Sequence, residues 1–159
     1  MPIKIGLVGC GAIGAEIAKA VDSGTIDADL VAVCDHNSAT AAALIESLQH
    51  KPVKVKLDEL VDLSDVVVEA ASQKAVPAVA RATLGKGKKL MIMSVGALAD
   101  RELFAEVKRL AKEHGSLVYL PSGAISGLDA LKSASVGTIH KVTLTTTKNP
   151  IGLKGAPYV

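Results

Sequence analysis

Aromatic side chains are scarce in this sequence of 159 residues, which contains no tryptophan, two tyrosines and one phenylalanine. A surface that stacks nucleic-acid bases on aromatic rings is therefore not expected. An excess of one charge is missing as well, because 18 lysine and arginine residues oppose 16 aspartate and glutamate residues and leave a formal net charge of +2. So small an excess is not typical of a protein that binds nucleic acid. We expect a small molecule, and not a nucleic acid, as the partner.

Long hydrophobic runs are also missing. No stretch of about 18 apolar residues occurs, so no transmembrane helix is expected, and the N-terminus lacks the layout of a signal peptide. The two cysteines, Cys10 and Cys34, are too few for a disulfide framework, and no histidine cluster accompanies them to form a zinc site. We expect two reduced thiols that pack as small apolar groups, no metal, and a cytoplasmic protein.

Apolar residues nevertheless make up 49% of the chain, enough to bury a core. Short apolar runs alternate with amphipathic or alanine-rich stretches, which predicts strands alternating with helices. Because parallel strands need such crossovers, the pattern predicts an α/β fold with a doubly wound parallel sheet. Pro77 is expected to be a weak point of the third helix. The predicted strands are 3–8, 30–34, 53–55, 65–69, 90–93 and 117–120, and the predicted helices are 12–21, 39–48, 73–84 and 100–114.

The pattern changes after Pro121. A loop precedes a short predicted helix near residues 128–133, and a threonine-rich alternating stretch over 138–148 predicts a strand of a different sheet. We therefore predict one domain over 1–122 and the beginning of a second, α+β domain over 123–159, which we expect to be incomplete.

A glycine loop joins the first predicted strand to the first predicted helix, with the sequence GCGAIG at residues 9–14. In that context the pattern is typical of a dinucleotide-binding loop. Gly9 would allow the tight turn, Gly11 the close approach of a pyrophosphate, and Gly14 the packing of the helix against the strand. The free N–H groups of the first helical turn favour a phosphate.

Asp35 ends the second predicted strand, 21 residues beyond Gly14. A carboxylate there accepts hydrogen bonds from a ribose 2′-OH and repels a 2′-phosphate. We therefore predict NAD as the cofactor, while His36 and nearby lysines leave NADP open. The ends of the other strands should complete the crevice, and their small residues would leave room for a flat ring.

Five segments, in chain order, carry a resemblance to a known family: GCGAIG at 9–14, VVEAAS at 67–72, MSVGAL at 93–98, LPSGAISGLDA at 120–130 and TLTTTKNP at 143–150. Together they resemble L-aspartate dehydrogenase, and the last two segments are the specific ones. The resemblance implies a Rossmann domain, a homo-oligomer, and the oxidation of L-aspartate to iminoaspartate with NAD or NADP. The imine would feed quinolinate and NAD synthesis, or hydrolyse to oxaloacetate and ammonia.

The resemblance also implies roles for individual residues. Lys148 would pair with a substrate carboxylate, and Ala124 matches a cofactor contact of the family. The remaining cofactor contacts are Gly9, Gly11, Ala12, Ile13 and Gly14 at the pyrophosphate, Asp35 at the adenosine ribose, and Ala71, Ser72, Ser94, Val95 and Gly96 towards the nicotinamide.

The catalytic histidine of the family, together with a second cofactor-contacting asparagine, is expected beyond Val159. Of the four histidines in the chain, His140 is the one worth testing as a replacement. We therefore expect residues 1–159 to bind NAD without completing catalysis unaided. Two alternatives stay open: an oxidoreductase of the homoserine dehydrogenase or dihydrodipicolinate reductase type, and a non-catalytic NAD-binding module. The PSGAISG and TTKNP segments argue against the first alternative, and the short length supports the second.

Overall fold

The computed structural model describes residues 2–123, 127–145 and 147 of the chain. Its backbone divides into two compact units, Met1–Gly123 and Ala124–Val159.

The first unit alternates strands and helices along almost its whole length. Its strands are β1 (Ile3–Val8), β2 (Ala28–Cys34), β3 (Val53–Lys54), β4 (Val66–Glu69), β5 (Lys89–Ile92) and β6 (Val118–Tyr119). Its helices are α1 (Ala12–Asp22), α2 (Ser38–Ser47), α3 (Leu57–Leu63), α4 (Val76–Leu84) and α5 (Arg101–Glu113), with a 3-10 turn at Val95–Ala99. None of the helices in the described part of the chain is long and apolar enough to cross a membrane.

The six strands form one parallel sheet in the order β3-β2-β1-β4-β5-β6. This confirms the predicted doubly wound parallel sheet. The chain leaves β1 towards one side of the sheet and returns to β4 on the other side of β1. In such a sheet, the carboxyl ends of β1 and β4 flank the position where ligands bind.

The core lies on both faces of this sheet. Val67 and Val68 are neighbours in β4, yet they belong to two different clusters of buried side chains, because successive strand residues point to opposite faces. Val67 packs with Leu90, and Val68 packs with Leu7. The burial of the fourth strand on both faces, predicted from its β-branched run, is confirmed.

Two helices of the first unit differ from the prediction. The helix α3 was not predicted, although Asp58 and Glu59 occupy its first turn, where acidic residues favour a helix. Leu60 of α3 packs so closely over Gly6 that a Cβ at Gly6 would come within 2.5 Å of its Cδ2 atom. The helix α4 begins at Val76, later than predicted, so Pro77 lies in its first turn. Proline is tolerated there because its missing N–H would have no helical partner, and Pro77 is therefore not a weak point.

The described part of the second unit contains one helix, α6 (Leu128–Ala134), where a short helix was predicted. Over residues 138–145 and 147 no strand is present, so the predicted strand is wrong for these residues. A strand requires a neighbouring strand for its backbone hydrogen bonds, and none of the described residues of this unit supplies one. Val142 and Leu144 are exposed as a result.

Candidate nucleotide-binding site

A cavity of about 700 Å³ opens at the carboxyl edge of the sheet, beyond the ends of β1, β2 and β4. It lies at the point where the strand order reverses. The predicted site residues that line it are Gly9, Gly11, Asp35, Ala71 and Ser72.

Other predicted residues lie outside this lining. Ala12 and Ile13 belong to an apolar, open face of α1. Ser94, Val95 and Gly96 follow β5, beside the segment that follows β4.

The glycine loop has a backbone that larger residues do not fit. Gly9 has a φ of +96°, and a Cβ there would come within 2.6 Å of the backbone of Ala70 and Ala71. A Cβ at Gly14 would collide with the carbonyl oxygen of Gly9. At Gly11, by contrast, a Cβ would have no neighbour within 4 Å. Gly9 and Gly14 are thus required by the protein's own packing, whereas the space above Gly11 is open to a ligand.

The N-terminus of α1 is open as well. Gly11 is its N-cap residue, and within the described residues no side chain accepts a hydrogen bond from its first turn. The helix α2 differs, because Asn37 Oδ1 accepts from the backbone N–H groups of Ala39 at 3.0 Å and Thr40 at 3.3 Å. The unsatisfied N–H groups of α1 carry partial positive charge and fit a phosphate.

Asp35 is held rigidly at the rim of the cavity, with a side chain that is 8% exposed. Its Oδ2 accepts from the backbone N–H of Cys10 at 2.7 Å, and its Oδ1 accepts from the backbone N–H of Asn37 at 2.7 Å. The carboxylate therefore ties the glycine loop to the segment after β2, a contact that the sequence did not predict. Oδ1 also lies 3.2 Å from His36 Nδ1. Oδ2 retains a second lone pair, which a ribose hydroxyl can use.

The cysteines beside Asp35 are free thiols. Burial, with the negative charge of Asp35 as the next cause, raises the pKa of Cys10 to about 11. Burial also raises the pKa of Cys34. Both thiols are therefore protonated at neutral pH, as expected for cysteines that pack as small apolar groups.

Glu69, at the end of β4, is fully buried and was not predicted as a site residue. Its Oε1 accepts from the backbone N–H groups of Ala71 at 2.9 Å and Ser72 at 3.0 Å, and from Ser94 Oγ at 3.0 Å. Its Oε2 accepts from the backbone N–H of Ser94 at 3.0 Å. The signal in the sequence was a carboxylate at the end of an apolar strand, but its partners become visible only in the folded chain.

Gln73 and Gly96 bring the same two segments together. A Cβ at Gly96 would come within 2.6 Å of Gln73 Nε2, so the amide of Gln73 lies directly over this glycine. The segments that follow β4 and β5 are thus in contact through both a buried carboxylate and an exposed amide.

Three further candidates belong to the second unit, and two of them are outside the described residues. Ala124 and Lys148 are outside the described residues. His140 is exposed in the second unit and belongs to no helix or strand.

A comparison with protein-family models matches residues 9–121 to the model described as "Homoserine dehydrogenase, NAD binding domain". The match begins at Gly9, the first glycine of the loop, and ends just after β6. It therefore covers nearly all of the unit that holds the cavity.

Curated relatives carry the name L-aspartate dehydrogenase. The chain is 53% identical to the one from Methanocella arvoryzae, over 98% of this chain and 58% of the relative. It is 50% identical to the one from Methanocaldococcus jannaschii, over 97% of this chain and 58% of the relative. The chain thus spans about 58% of the length of these relatives. The resemblance inferred from the five segments is confirmed.

Solved structures share the fold. Aspartate dehydrogenase from Thermotoga maritima is 23% identical, with a TM-score of 0.62 over 86% of this chain and 52% of that one. Myo-inositol dehydrogenase from Lactobacillus casei, solved with NAD(H) and myo-inositol, is 18% identical, with a TM-score of 0.72 over 86% of this chain and 42% of that one. At these identities the likeness concerns the Rossmann-type architecture.

Proposed function

Because this chain belongs to the family of NAD-binding domains described for homoserine dehydrogenase, we propose that its first unit binds NAD or NADP for an L-aspartate dehydrogenase. The reaction we propose is the oxidation of L-aspartate to iminoaspartate, which leads towards quinolinate or, after hydrolysis, to oxaloacetate and ammonia. The observation that supports nucleotide binding most is the open N-terminus of α1 beside Asp35, in a cavity of about 700 Å³. The substrate rests on the relatives named L-aspartate dehydrogenase.

The pyrophosphate would bind at the glycine loop. The N–H groups of Ala12, Ile13 and Gly14 belong to the first turn of α1, where partial positive charge stabilises an anion. Gly11 has no Cβ to occupy the space above this turn. These residues act through backbone atoms, which explains how Ala12 and Ile13 can serve the site while their side chains lie on another face.

The adenosine ribose would bind at Asp35. Its carboxylate is already oriented by Cys10 and Asn37, so a 2′-OH meets an acceptor that loses little freedom on binding. A 2′-phosphate would place its negative charge against a nearly buried carboxylate, which favours NAD. NADP is the second choice, since His36 is almost fully exposed beside the site and its protonated form would offset that charge.

The nicotinamide would lie towards the small residues that follow β4 and β5. These are Ala71, Ser72, Ser94, Val95 and Gly96, which present little side-chain bulk. Glu69 holds the backbone of three of them, Ala71, Ser72 and Ser94. When bound, the nicotinamide cofactor supplies the hydride acceptor. The contribution of these residues is to hold the reacting atoms at about 3–3.5 Å from each other.

The substrate is proposed from the relatives and not from the cavity. L-Aspartate carries two carboxylates, which require cationic side chains, and Lys148 remains the proposed partner of one of them. Ala124 remains a proposed cofactor contact, and a homo-oligomer remains the proposed assembly. The description of the matching family model favours L-homoserine as a second candidate substrate.

An exchange experiment tests this proposal. In the enzyme from Methanocella arvoryzae, the residues that align with this chain are replaced by residues 1–159, and the formation of NADH is followed by absorbance. We expect NADH formation with L-aspartate that exceeds the rate with L-homoserine. A chimera that folds and binds added NADH, yet does not reduce NAD in the presence of L-aspartate, would contradict the proposal. The unchanged relative is the positive control, and the same chimera with Gly11→Val is the negative control.

A further inference from the structure

The carboxylate of Glu69 is buried without a cationic partner among the described residues. Its side chain is fully buried, and none of the salt bridges of the described chain includes it. An isolated charge in such a place is unfavourable unless hydrogen bonds replace water. The four hydrogen bonds to Glu69 replace water in this way. They offset the free-energy cost of burying a carboxylate at the end of β4.

The donors come from two segments that are far apart in the chain. Ala71 and Ser72 follow β4 directly, whereas Ser94 follows β5 and is 25 residues from Glu69. Glu69 is thus a bridge between the two segments. A glutamine at this position has the same length, but its side-chain NH₂ group is a donor. This group would lie against one of the donors that now bind Glu69, so that hydrogen bond would be lost.

A purely structural role is the natural alternative, and the chain contains a matched example of one. Asp22, at the end of α1, accepts from the backbone N–H groups of Gln49 and His50, each at 2.8 Å. This carboxylate also holds a segment by its backbone, but at the amino edge of the sheet. The two carboxylates differ in one contact, because Asp22 Oδ1 also lies 3.0 Å from His50 Nδ1. They differ further in the segment that they hold, because Ala71 and Ser72 line the cavity of the carboxyl edge.

We infer that Glu69 is a positioning residue: it fixes the segments after β4 and β5 in the arrangement that accepts the nicotinamide half of the cofactor. It does not touch the ligand, since it is fully buried and lies outside the lining of the cavity. This inference rests on the proposed function. It concerns one half of the dinucleotide, because the other half binds at the glycine loop and Asp35.

The test compares two ligands that differ by the nicotinamide. NADH and ADP-ribose are titrated by calorimetry into the wild-type chain and into Glu69→Gln, and the fluorescence of bound NADH is recorded. We expect Glu69→Gln to lower the affinity for NADH about tenfold and that for ADP-ribose less than about twofold, with weaker NADH fluorescence. Equal losses for both ligands, or no loss for either, would overturn the inference.

Two further variants keep the test decisive. Glu69→Asp keeps a carboxylate but shortens its side chain by one methylene, so it decides the matter if Glu69→Gln does not fold. We expect it to weaken NADH about threefold and ADP-ribose not at all. Asp22→Asn is the matched control and should leave both affinities unchanged; a selective loss of NADH binding in this control would overturn the inference.

The titrations distinguish a failure of the proposed function from a failure of the inference about Glu69. If the wild-type chain binds neither NADH nor ADP-ribose, the proposed function is wrong and the inference falls with it. If the wild-type chain binds both and Glu69→Gln keeps their ratio, the inference alone is wrong.

Discussion

At both edges of the parallel sheet, carboxylates accept hydrogen bonds from backbone N–H groups, but only one edge holds the candidate site. At the amino edge, Asp22 accepts from backbone N–H groups that follow α2, and Asp65 accepts from the backbone N–H of Lys4. At the carboxyl edge, Asp35 and Glu69 do the same for the loops that follow β2 and β4. A carboxylate that holds backbone is therefore no sign of a ligand site by itself.

The direction of the helices separates the two edges. Each helix that follows a strand begins at the carboxyl edge, so its unsatisfied N–H groups point there. At the carboxyl edge the cavity is about 700 Å³, and the one lined by Asp22 and His50 is about 360 Å³. Chain direction and open space therefore make the site, and the carboxylates hold its loops in place.

The largest effect is expected where backbone strain and a clash coincide. Gly9→Ala places a Cβ at a φ of +96° and within 2.6 Å of the backbone of Ala70. Gly24→Ala, at the amino edge, has the same kind of strain at a φ of +75° but no neighbour within 4 Å. We expect Gly9→Ala to lower the free energy of unfolding by about 3 kcal/mol and Gly24→Ala by about 1 kcal/mol, measured by urea denaturation. Equal losses would show that the close approach of Ala70 is unimportant.

The next effect separates binding from stability at the glycine loop. Gly11→Ala adds a Cβ that meets no protein atom within 4 Å, so the free energy of unfolding should change by less than about 1 kcal/mol. The affinity for NADH should fall at least about tenfold, because the methyl group occupies the space of the pyrophosphate. Calorimetry and urea denaturation of the same preparation measure both quantities. An affinity that stays within about twofold of wild type would contradict this use of the open space.

A smaller effect concerns the choice of nucleotide. Asp35→Ala should weaken NAD more than NADP, changing the ratio of their affinities about tenfold, because it removes an acceptor for the 2′-OH and a repulsion of the 2′-phosphate. The ratio is the informative quantity, since the loss of the bonds to Cys10 and Asn37 affects both nucleotides alike. Parallel losses would remove Asp35 from the ribose site.

The smallest effect is a pH dependence at the amino edge. Hydrogen bonds from the backbone N–H groups of Gln49 and His50 hold the pKa of Asp22 below its ordinary value. Its stabilising contribution is therefore present above the pKa of the unfolded side chain and is lost as the pH falls through the lowered value. Between about pH 5 and about pH 3, the Tm of Asp22→Asn should fall less steeply than that of wild type. An equal slope in both proteins would contradict the role of this carboxylate.

Features with local causes could be predicted from the sequence. The strand β1, the glycine loop and the start of α1 follow from adjacent residues, and Asp35 was identified because it ends an apolar strand. The helix α3 was not predicted because its apolar residues, such as Leu57 and Leu60, span too few turns for a clear period. The alternation over 138–148 predicted a strand, but alternation cannot supply the neighbouring strand that such a segment needs.

The hydrogen bonds that make the site rigid are not local. Asp35 reaches Cys10 across 25 residues, and Glu69 reaches Ser94 across 25 residues. A single sequence does not show which strand ends become neighbours before the strand order is known. The type of site was therefore predictable, while the bridge that Glu69 makes was not.

The central claim is that the carboxyl edge of the sheet binds the dinucleotide and the amino edge does not. Backbone amide chemical shifts, recorded by NMR while NADH is titrated into the chain, test both edges in one measurement. We predict shifts at Gly9, Gly11, Ser72 and Ser94, and unchanged positions for Gln49 and His50. Unperturbed amides throughout the glycine loop, or shifts concentrated around Gln49 and His50, would contradict the account.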